Sequence, residues 1–462
     1  MNIPAGTSDV KRALLLAATI APFIFTFMTS SVVIAIPTIE KELSLNIITQ
    51  GWLVMSYILS SATFVVPFGR IADIYGRKKI FTCGIVIFTL FSFFAGMANS
   101  AATLIVCRVF QGIGGAMLAG TAIALLTTVF PANERGKVLG INVAAVYIGL
   151  AVGPVLGGIL TQQLGWRSIF FLSAILGLLV LGVVLWKLKG EWTGAKGEKF
   201  DFLGSIIYIL GLVALVYGFT RLPSMLGVGL VVGGAVGLAG FVRWELKRRS
   251  PLLDLSLFRN SRVFSFSNLT ALINYSATFA ISLLISDYLQ YRPIQPFNAQ
   301  EAGLILVAMP AMQAVFSPLA GRLSDRIEPR LIASAGMALI TMGLVLFIFL
   351  NEESTLTIII GNLLLIGFGL ALFVSPNTNA IMSSAPKTAY GVASAMLATS
   401  RQVGLVFSMG IATLIFALYI GSVQITPENY PLFQQSMKTS FTIFAALCFG
   451  GIFASLARGK VR

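Results

Sequence analysis

The stretch Gly69-Arg70-Ile71-Ala72-Asp73-Ile74-Tyr75-Gly76-Arg77-Lys78-Lys79 packs five charges into eleven residues between two long apolar runs. Its opening returns 252 positions later as Gly321-Arg322-Leu323-Ser324-Asp325, again closing an apolar run. Gly136 and Gly149 likewise have counterparts in Gly391 and Gly404, at an offset of 255. A polar turn that recurs once at such a distance marks two copies of one helical unit with the same orientation. Parallel copies of this kind place a binding site at their interface, near the middle of the bilayer.

The surroundings of these loops fix the solvent. The 462 residues are 57% hydrophobic and only 11% charged, where a soluble chain carries about 25% charged residues. Mean hydropathy is +0.90. Too little polar surface exists to solvate a globule, so lipid surrounds most of the chain. A helix needs about 20 apolar residues to cross a bilayer. Fourteen runs qualify, centred near Phe25, Leu59, Phe88, Leu118, Ile148, Leu176, Leu210, Val232, Phe279, Met309, Leu339, Leu365, Met396 and Leu447. The expected architecture is all-α: a six-helix bundle over residues 1–190, a linker and two extra spans over 191–250, and a second six-helix bundle over 251–462. The turn Arg221-Leu222-Pro223-Ser224 joins the two extra spans.

An even number of spans puts both termini on one side. The loops on that side hold 25 of the 32 Lys and Arg, and the opposite loops only Lys41, Arg167, Arg221, Arg292 and Lys438. This bias identifies the basic side as cytoplasmic and accounts for the net charge of +15 without a nucleic-acid partner, whose recognition needs basic residues clustered on a water-exposed domain. The chain is thus expected to be a multi-pass plasma-membrane protein. Its first apolar run is long enough to span and lacks a cleavage pattern. Three cysteines, no CxxC spacing and no histidine speak against a zinc site or an imidazole relay. No paired catalytic acids, nucleophile with a base or phosphate loop appears. The longest loop, Lys187 to Phe202, is a linker, so neither an enzyme nor a receptor is expected, and no cofactor is.

Several motifs narrow the reading. In the quoted loop Gly69 permits close approach of two helix ends, Asp73 can cap the next helix, and Arg77 can pair with Asp73 or a neighbouring helix end. The loop reads either as a basic anchor or as a latch for one conformer, with Asp325 in the second copy. The fourth span carries Arg108-x-x-Gln111-Gly112-x-Gly114-Gly115. A charge in hydrocarbon costs at least ~2.5 kcal/mol, so Arg108 is either functional or satisfied by backbone carbonyls. The fifth span reads Gly149-x-x-x-Gly153-Pro154-x-x-Gly157-Gly158. Small residues at every fourth position let another backbone pack closely, and proline removes a ladder bond. Trp166-Arg167-x-x-Phe170-Phe171 opens the sixth span, and Arg401-Gln402-x-Gly404 places a second arginine roughly 16 Å deep in the thirteenth.

With these strings the chain resembles, over essentially its whole length from Pro37, the fourteen-span drug/proton antiporters of the major facilitator superfamily. The resemblance implies a proton-coupled, monomeric exporter of hydrophobic or amphiphilic small molecules, with Arg108 and Gln111 tied to coupling. It further implies gating by Gly69, Asp73, Arg77, Gly149, Gly153, Pro154, Gly157 and Asp325. Many members carry an aspartate in the first span where this chain has Met28, and no acid lies within spans one, two, four or five. The acids nearest the membrane are Asp287, about 36 Å along its span, and Glu301, which opens the next. Asp287 reads as the coupling carboxyl or as a solvated loop acid, and Glu301 is taken with it as a coupling candidate. The expected cavity draws Phe27, Met28, Tyr57, Asn142 and Tyr147 from the first copy and Asn274, Tyr275, Gln313, Asn377 and Arg401 from the second. Two inward arginines and no central acid suit an anionic or zwitterionic amphiphile, so a specific anionic metabolite or lipid is the alternative cargo. The partner of Arg401 is open at this level: helix carbonyls, Asp287 or the cargo.

Overall fold

With no water in hydrocarbon, each lipid-facing segment must satisfy its own backbone, and the α-helix does so within one segment. A computed structural model describes residues 8–248, 251–253, 255–385 and 390–459. Lys387, Lys460 and Arg462, counted above among the basic-side charges, lie outside them, as does Arg249. Among the described residues, fourteen helices are long and apolar enough to cross a membrane. The first six are α1 (Ser8–Leu43), α2 (Ile47–Tyr75), α3 (Arg77–Gly96), α4 (Ala101–Val129), α5 (Ala132–Leu164) and α6 (Arg167–Lys187). The inserted pair is α7 (Phe202–Thr220) and α8 (Met225–Glu245). After the short α9 (Ser256–Asn260), the ninth span is split into α10 (Arg262–Thr278) and α11 (Ile281–Tyr291), and the tenth into α12 (Ala299–Leu306) and α13 (Ala308–Ser324). The last four are α14 (Pro329–Ile348), α15 (Leu356–Ser383), α16 (Tyr390–Tyr419) and α17 (Tyr430–Ala457).

Polar residues at the water boundaries start the helices. Asn46, Ser100, Asp201, Ser224 and Ser261 each accept a first-turn N–H through the side chain, a contact worth about 1 kcal/mol. The sequence did not show the two broken spans. At the first break the N–H of Ala280 is taken up by Ser408 Oγ on α16, at 3.0 Å. At the second, Pro310 has no N–H to give the carbonyl four residues earlier, where α12 ends.

The repeat is legible in the packing. In the first six spans α1 lies on α5 and α6, α4 on α2 and α3, and α3 on α6. In the last six, α10 lies on α16 and α17, α15 on α13 and α14, and α14 on α17. Position for position these are the same neighbours. The α7–α8 pair leans on α2 and α16, where Tyr208 donates to the carbonyl of Ala62 at 3.0 Å.

The glycine string of α5 makes two different contacts. A Cβ on Gly149, Gly153 or Gly157 would lie 2.2, 1.9 or 2.6 Å from atoms of Thr26, Ser30 or Ser31, so this stripe seats α5 directly on α1. Gly158 points elsewhere: its Cβ would lie 2.4 Å from the carbonyl oxygen of Ala299 on α12. Gly303 of α12 returns the contact at the carbonyl of Pro154. One helix is therefore locked within its own group and butted backbone to backbone against the other.

The quoted loop is held by the linker. Gly76 has φ +132°, in the region that favours glycine, and a Cβ there would strike the Glu191 carboxylate. That carboxylate accepts the N–H of Lys78 at 2.8 Å and of Lys79 at 3.1 Å, so Glu191 caps α3. This corrects the expectation for Asp73, whose side chain instead pairs with Arg77 at 2.7 Å. Arg77 also reaches the end of α4 through the Ala124 carbonyl and the Thr128 hydroxyl. Gly194 and Ala195 donate to the backbone carbonyl of Asp73, and Arg70 pairs with Glu198. A Cβ on Gly69 would meet only the Gly120 carbonyl, at an ordinary 3.9 Å, so the packing there does not demand glycine.

Overpacking the α1–α5 contact is a direct test of the stripe. Gly153→Leu places a branched side chain where Ser30 Oγ already sits, so the protein is expected to reach the membrane in normal amount yet lose transport. Normal transport by a well-expressed Gly153→Leu chain would contradict a mechanical role for this face.

Candidate functional site

Both groups of six wall a central cavity of about 150 Å³. Its lining includes Phe25, Thr29, Ser30, Tyr147 and Pro154 from the first group and Tyr275, Ser282, Gln313, Arg401 and Gln402 from the second. The broken spans face it through Thr278, Phe279 and Ser282, and through Leu306, Met309 and Pro310. Irregular backbone is tolerated at membrane depth where it lines such a space. The volume falls below the roughly 300–1,000 Å³ of pockets for drug-sized ligands. A full-size cargo therefore needs the groups to part further.

Among the residues lining the cavity Arg401 carries the only charge. Its charge acts on Tyr147 and Tyr275, which share the lining, and it is hydrogen-bonded with Tyr275. Asp287 is not its partner. Gln402, next in the chain, also lines the cavity and donates to Ser61 Oγ across the groups at 3.3 Å.

Of the predicted cavity residues, Tyr147, Tyr275, Gln313 and Arg401 meet here, as does Pro154 from the gating set. The others are placed in helix contacts. Asn142 donates to the Ala18 carbonyl at 2.6 Å, tying α5 to α1. Phe27 stacks on Phe23, and Met28 is wholly buried. Asn274 is buried with both side-chain polar atoms unpartnered; we have no physical account of it. Asn377 lies with Arg458, accepting from its guanidinium at 2.9 Å. That arginine, read from sequence as an orienting charge, is fully buried and also reaches Ser267, Ser455 and the Pro329 carbonyl. It knots α10, α14, α15 and α17 together. Burial pulls its pKa down to about 10, and Glu328 opposes that fall, so it stays charged at neutral pH.

Arg108 has no carboxylate partner either. It is fully buried, donating to the Leu53 carbonyl and to Gln111 Oε1, each at 3.2 Å, with its guanidinium carbon 4.0 Å from the Tyr57 ring centroid. One terminal nitrogen is unpartnered. Gln111 passes the chain on to Ser92 Oγ at 2.8 Å. A desolvated cation–π contact of this sort is worth about 2 kcal/mol. It offsets part of the cost of the charge without an acid. Tyr57 is thus the platform for Arg108 and donates its own hydroxyl to the Phe25 carbonyl.

The remaining predicted acids separate. Glu301 is exposed and completes a capping box with Asn298 at the start of α12. Asp325 accepts a long 3.4 Å bond from Asn379 at the end of α13. Asp287 is fully buried, which rules out the solvated loop acid. Gln50 of α2 donates to its Oδ2 at 2.8 Å. Around it Ser286 and Gln290 donate to the carbonyls of Val33 and Ile34, and Tyr291 donates to the Glu40 carboxylate. Glu40, 2% exposed, was not singled out by sequence, because an acid at a helix end reads as solvated. These bonds fasten the two groups at the ends away from the termini. Toward the termini, Arg77 and Arg458 make their bonds within their own groups.

A helical carrier with a cavity between two repeated groups is the architecture of a membrane transporter. The family model of the Major Facilitator Superfamily matches residues 18–409 and 263–460, and the chain belongs to that superfamily. It is similar to the multidrug resistance protein Stp of Mycobacterium tuberculosis (strain CDC 1551 / Oshkosh), at 32% identity over 84% of this chain and 73% of that one. It is also similar to the riboflavin transporter RibZ of Clostridioides difficile (strain 630), at 30% identity over 96% of each. Among solved structures, a bacterial homologue of the human lysosomal transporter Spinster shares the fold, with TM-score 0.71 and 17% identity over 98% of this chain and 99% of that one.

The lone cavity charge gives a test by binding alone. A charge-assisted hydrogen bond contributes roughly 1.5–3 kcal/mol, and each 1.4 kcal/mol is about tenfold in affinity. Arg401→Gln should weaken an anionic amphiphile by about tenfold or more, with a neutral analogue changed by less than about twofold. Equal loss for both, read by titration of the purified protein, would mean that Arg401 supports the wall rather than the ligand.

Proposed function

We propose that this chain is a secondary active exporter that carries hydrophobic or amphiphilic compounds out of the cell in exchange for protons, by alternating access. The observation that carries the reading is the cavity walled by both groups, fastened on the side away from the termini. In this arrangement the termini face the cytoplasm, the cavity receives cargo from that side, and the fastened ends form the outer seal. The excess of Lys and Arg in the terminus-side loops supports that orientation. The multidrug resistance name of one relative supports a broad cargo, and the mostly apolar wall suits one.

A second reading, a specific anionic or flavin-like metabolite as cargo, is favoured by Arg401. A cavity with one cation and no acid attracts negative or electron-rich aromatic groups and repels lipophilic cations. The name riboflavin transporter, borne by a relative that aligns over 96% of both chains, points the same way.

Transport in liposomes with imposed pH or sodium gradients decides among these. An anionic amphiphile, riboflavin and a cationic dye are assayed in parallel. Accumulation against a pH gradient, strongest for the anion and weakest for the dye, is the expected result. Transport that follows sodium and ignores pH would refute proton exchange, and movement of no compound would refute the exporter reading.

Orientation is tested separately. Single cysteines replacing Ser224, on the α7–α8 turn, and Lys196, in the linker, are both exposed. An impermeant thiol reagent added to whole cells is expected to label the first and spare the second. The reverse pattern would invert the direction of transport.

A further inference from the structure

The bonds of the outer seal leave a particular deficit. Asp287 is buried completely and Gln50 to within 1% of complete burial. One amide N–H of Gln50 is given to Asp287 Oδ2. The remaining oxygens, Asp287 Oδ1 and Gln50 Oε1, are both buried and both without a partner. Each is an acceptor, so an ionised Asp287 leaves two lone-pair atoms facing a site with no donor.

No cation compensates. The charged and titratable groups around α11 are otherwise engaged. Arg292 donates to the Glu352 carbonyl at 2.6 Å and lies near the rings of Tyr288 and Phe297; its Nε is buried without a partner, and it forms no ion pair with Asp287. On α17, Tyr430 is near Tyr288 and Glu352. On α12, Glu301 is held in its capping box. On α1, Lys41 influences Glu40, and Glu40 receives the Tyr291 hydroxyl and faces the Ile425 N–H. The two carboxyls therefore differ in kind: Glu40 has donors, whereas Asp287 has one donor and an orphan.

A single proton on Oδ1 removes the charge and supplies the missing donor. The orphan that can take it, Gln50 Oε1, belongs to the same amide that already holds Oδ2. An acid and an amide joined by two bonds make a closed pair in which every polar atom at the contact is used. Sodium fits less well, since hard cations of this kind collect about six oxygens and the site offers two.

We propose that Asp287, paired with Gln50 across the two groups, is the carboxyl that carries the exchanged proton, and that its protonation is what allows the outer seal to close. The proposal rests on the proton-exchange reading above and names its site. With the seal open, the carboxylate takes a proton from external water and becomes neutral, and the acid–amide pair forms as the groups meet. The inner route is short. The cavity wall reaches Ser282, Val33 and Ile34, and Ser282 is five residues from Asp287, about 7.5 Å along a helix. Loss of the proton to cavity water restores a buried anion with no cation beside it. A seal holding an uncompensated charge is strongly disfavoured, so it opens outward with whatever cargo sits at Arg401. One proton moves inward for each opening, and cargo and proton occupy different places.

The test reads the seal directly. Spin labels are placed at Gln163→Cys and Thr355→Cys, exposed positions at the outer ends of the two groups, with Cys83 replaced by serine. Because protonation favours the sealed form, the short distance should dominate at low pH and the long one should grow as pH rises. Asp287→Asn mimics the protonated pair and should hold the short distance at every pH. It should also lose about tenfold or more of pH-driven transport while cavity binding changes by less than about twofold. Glu40→Gln should move the midpoint of the wild-type profile and keep its shape. A wild-type pH profile in Asp287→Asn overturns the proposal, as does abolition of the profile by Glu40→Gln alone, or a wild-type seal that answers sodium at fixed pH. Proton-driven transport that survives Asp287→Asn sinks this assignment and leaves the exporter standing. A wild-type chain that moves no compound sinks the exporter instead.

Discussion

Two helices in lipid gain nothing by hiding apolar surface from each other, because the tails around them are as apolar as leucine. What remains is contact at van der Waals distance, and that needs small residues. Gly149, Gly153 and Gly157 bring α5 so close to α1 that no Cβ fits. Gly158 and Gly303 do the same between α5 and α12. The first contact builds a rigid group. The second brings backbone against backbone across the groups at Gly158 and Gly303. Such a surface can be parted and remade at low cost, which a seal between moving bodies requires.

Three arginines show how differently one charge can be accommodated. Arg108 spends its donors on a carbonyl and an amide and lays its plane on Tyr57. Arg458 spends its donors on three hydrogen-bonding side chains and a carbonyl drawn from four helices. In the first repeat the corresponding terminal-side brace is Arg77, bound to Asp73 and the end of α4. The second repeat has Pro329 where that arginine would fall, and the chain end supplies the brace instead. Arg401 alone is left toward the cavity.

Much of this was legible in the sequence, and the rest was hidden for identifiable reasons. Span number and the doubling of the fold follow from local composition and from the 252-residue echo of Gly69 to Asp73. The stripe of α5 was readable because its period of four is a property of one helix. The Glu191 cap on α3 was not, since it joins segments 112 and 113 residues apart and any acid in the linker would read alike. Counting along the ninth span places Asp287 near the end away from the termini, but depth along a helix does not tell what covers it. The cover is Gln50 and the far end of α1, both distant in sequence. By sequence Asn377 reads as a cavity residue, whereas its partner Arg458 counts only among the basic-side charges.

The resulting distribution of charge is unusual for a site that handles amphiphiles. A carrier that exchanges a cationic drug for protons can place one acid in the cavity and let the two compete for it. Here the cavity holds a cation, and the acids sit in the seal more than a helical turn beyond the cavity wall. Competition for one carboxylate cannot then be the link between proton and cargo. On the exchange proposed above, the link is conformational: the seal would close only when its acid is neutral, and the cavity would open outward only when the seal releases. A cargo needs no positive charge under such a scheme, because it never has to displace the proton. The range of compounds carried is then set by the wall and Arg401, while the driving ion is set by Asp287 and its amide, and either can change without the other.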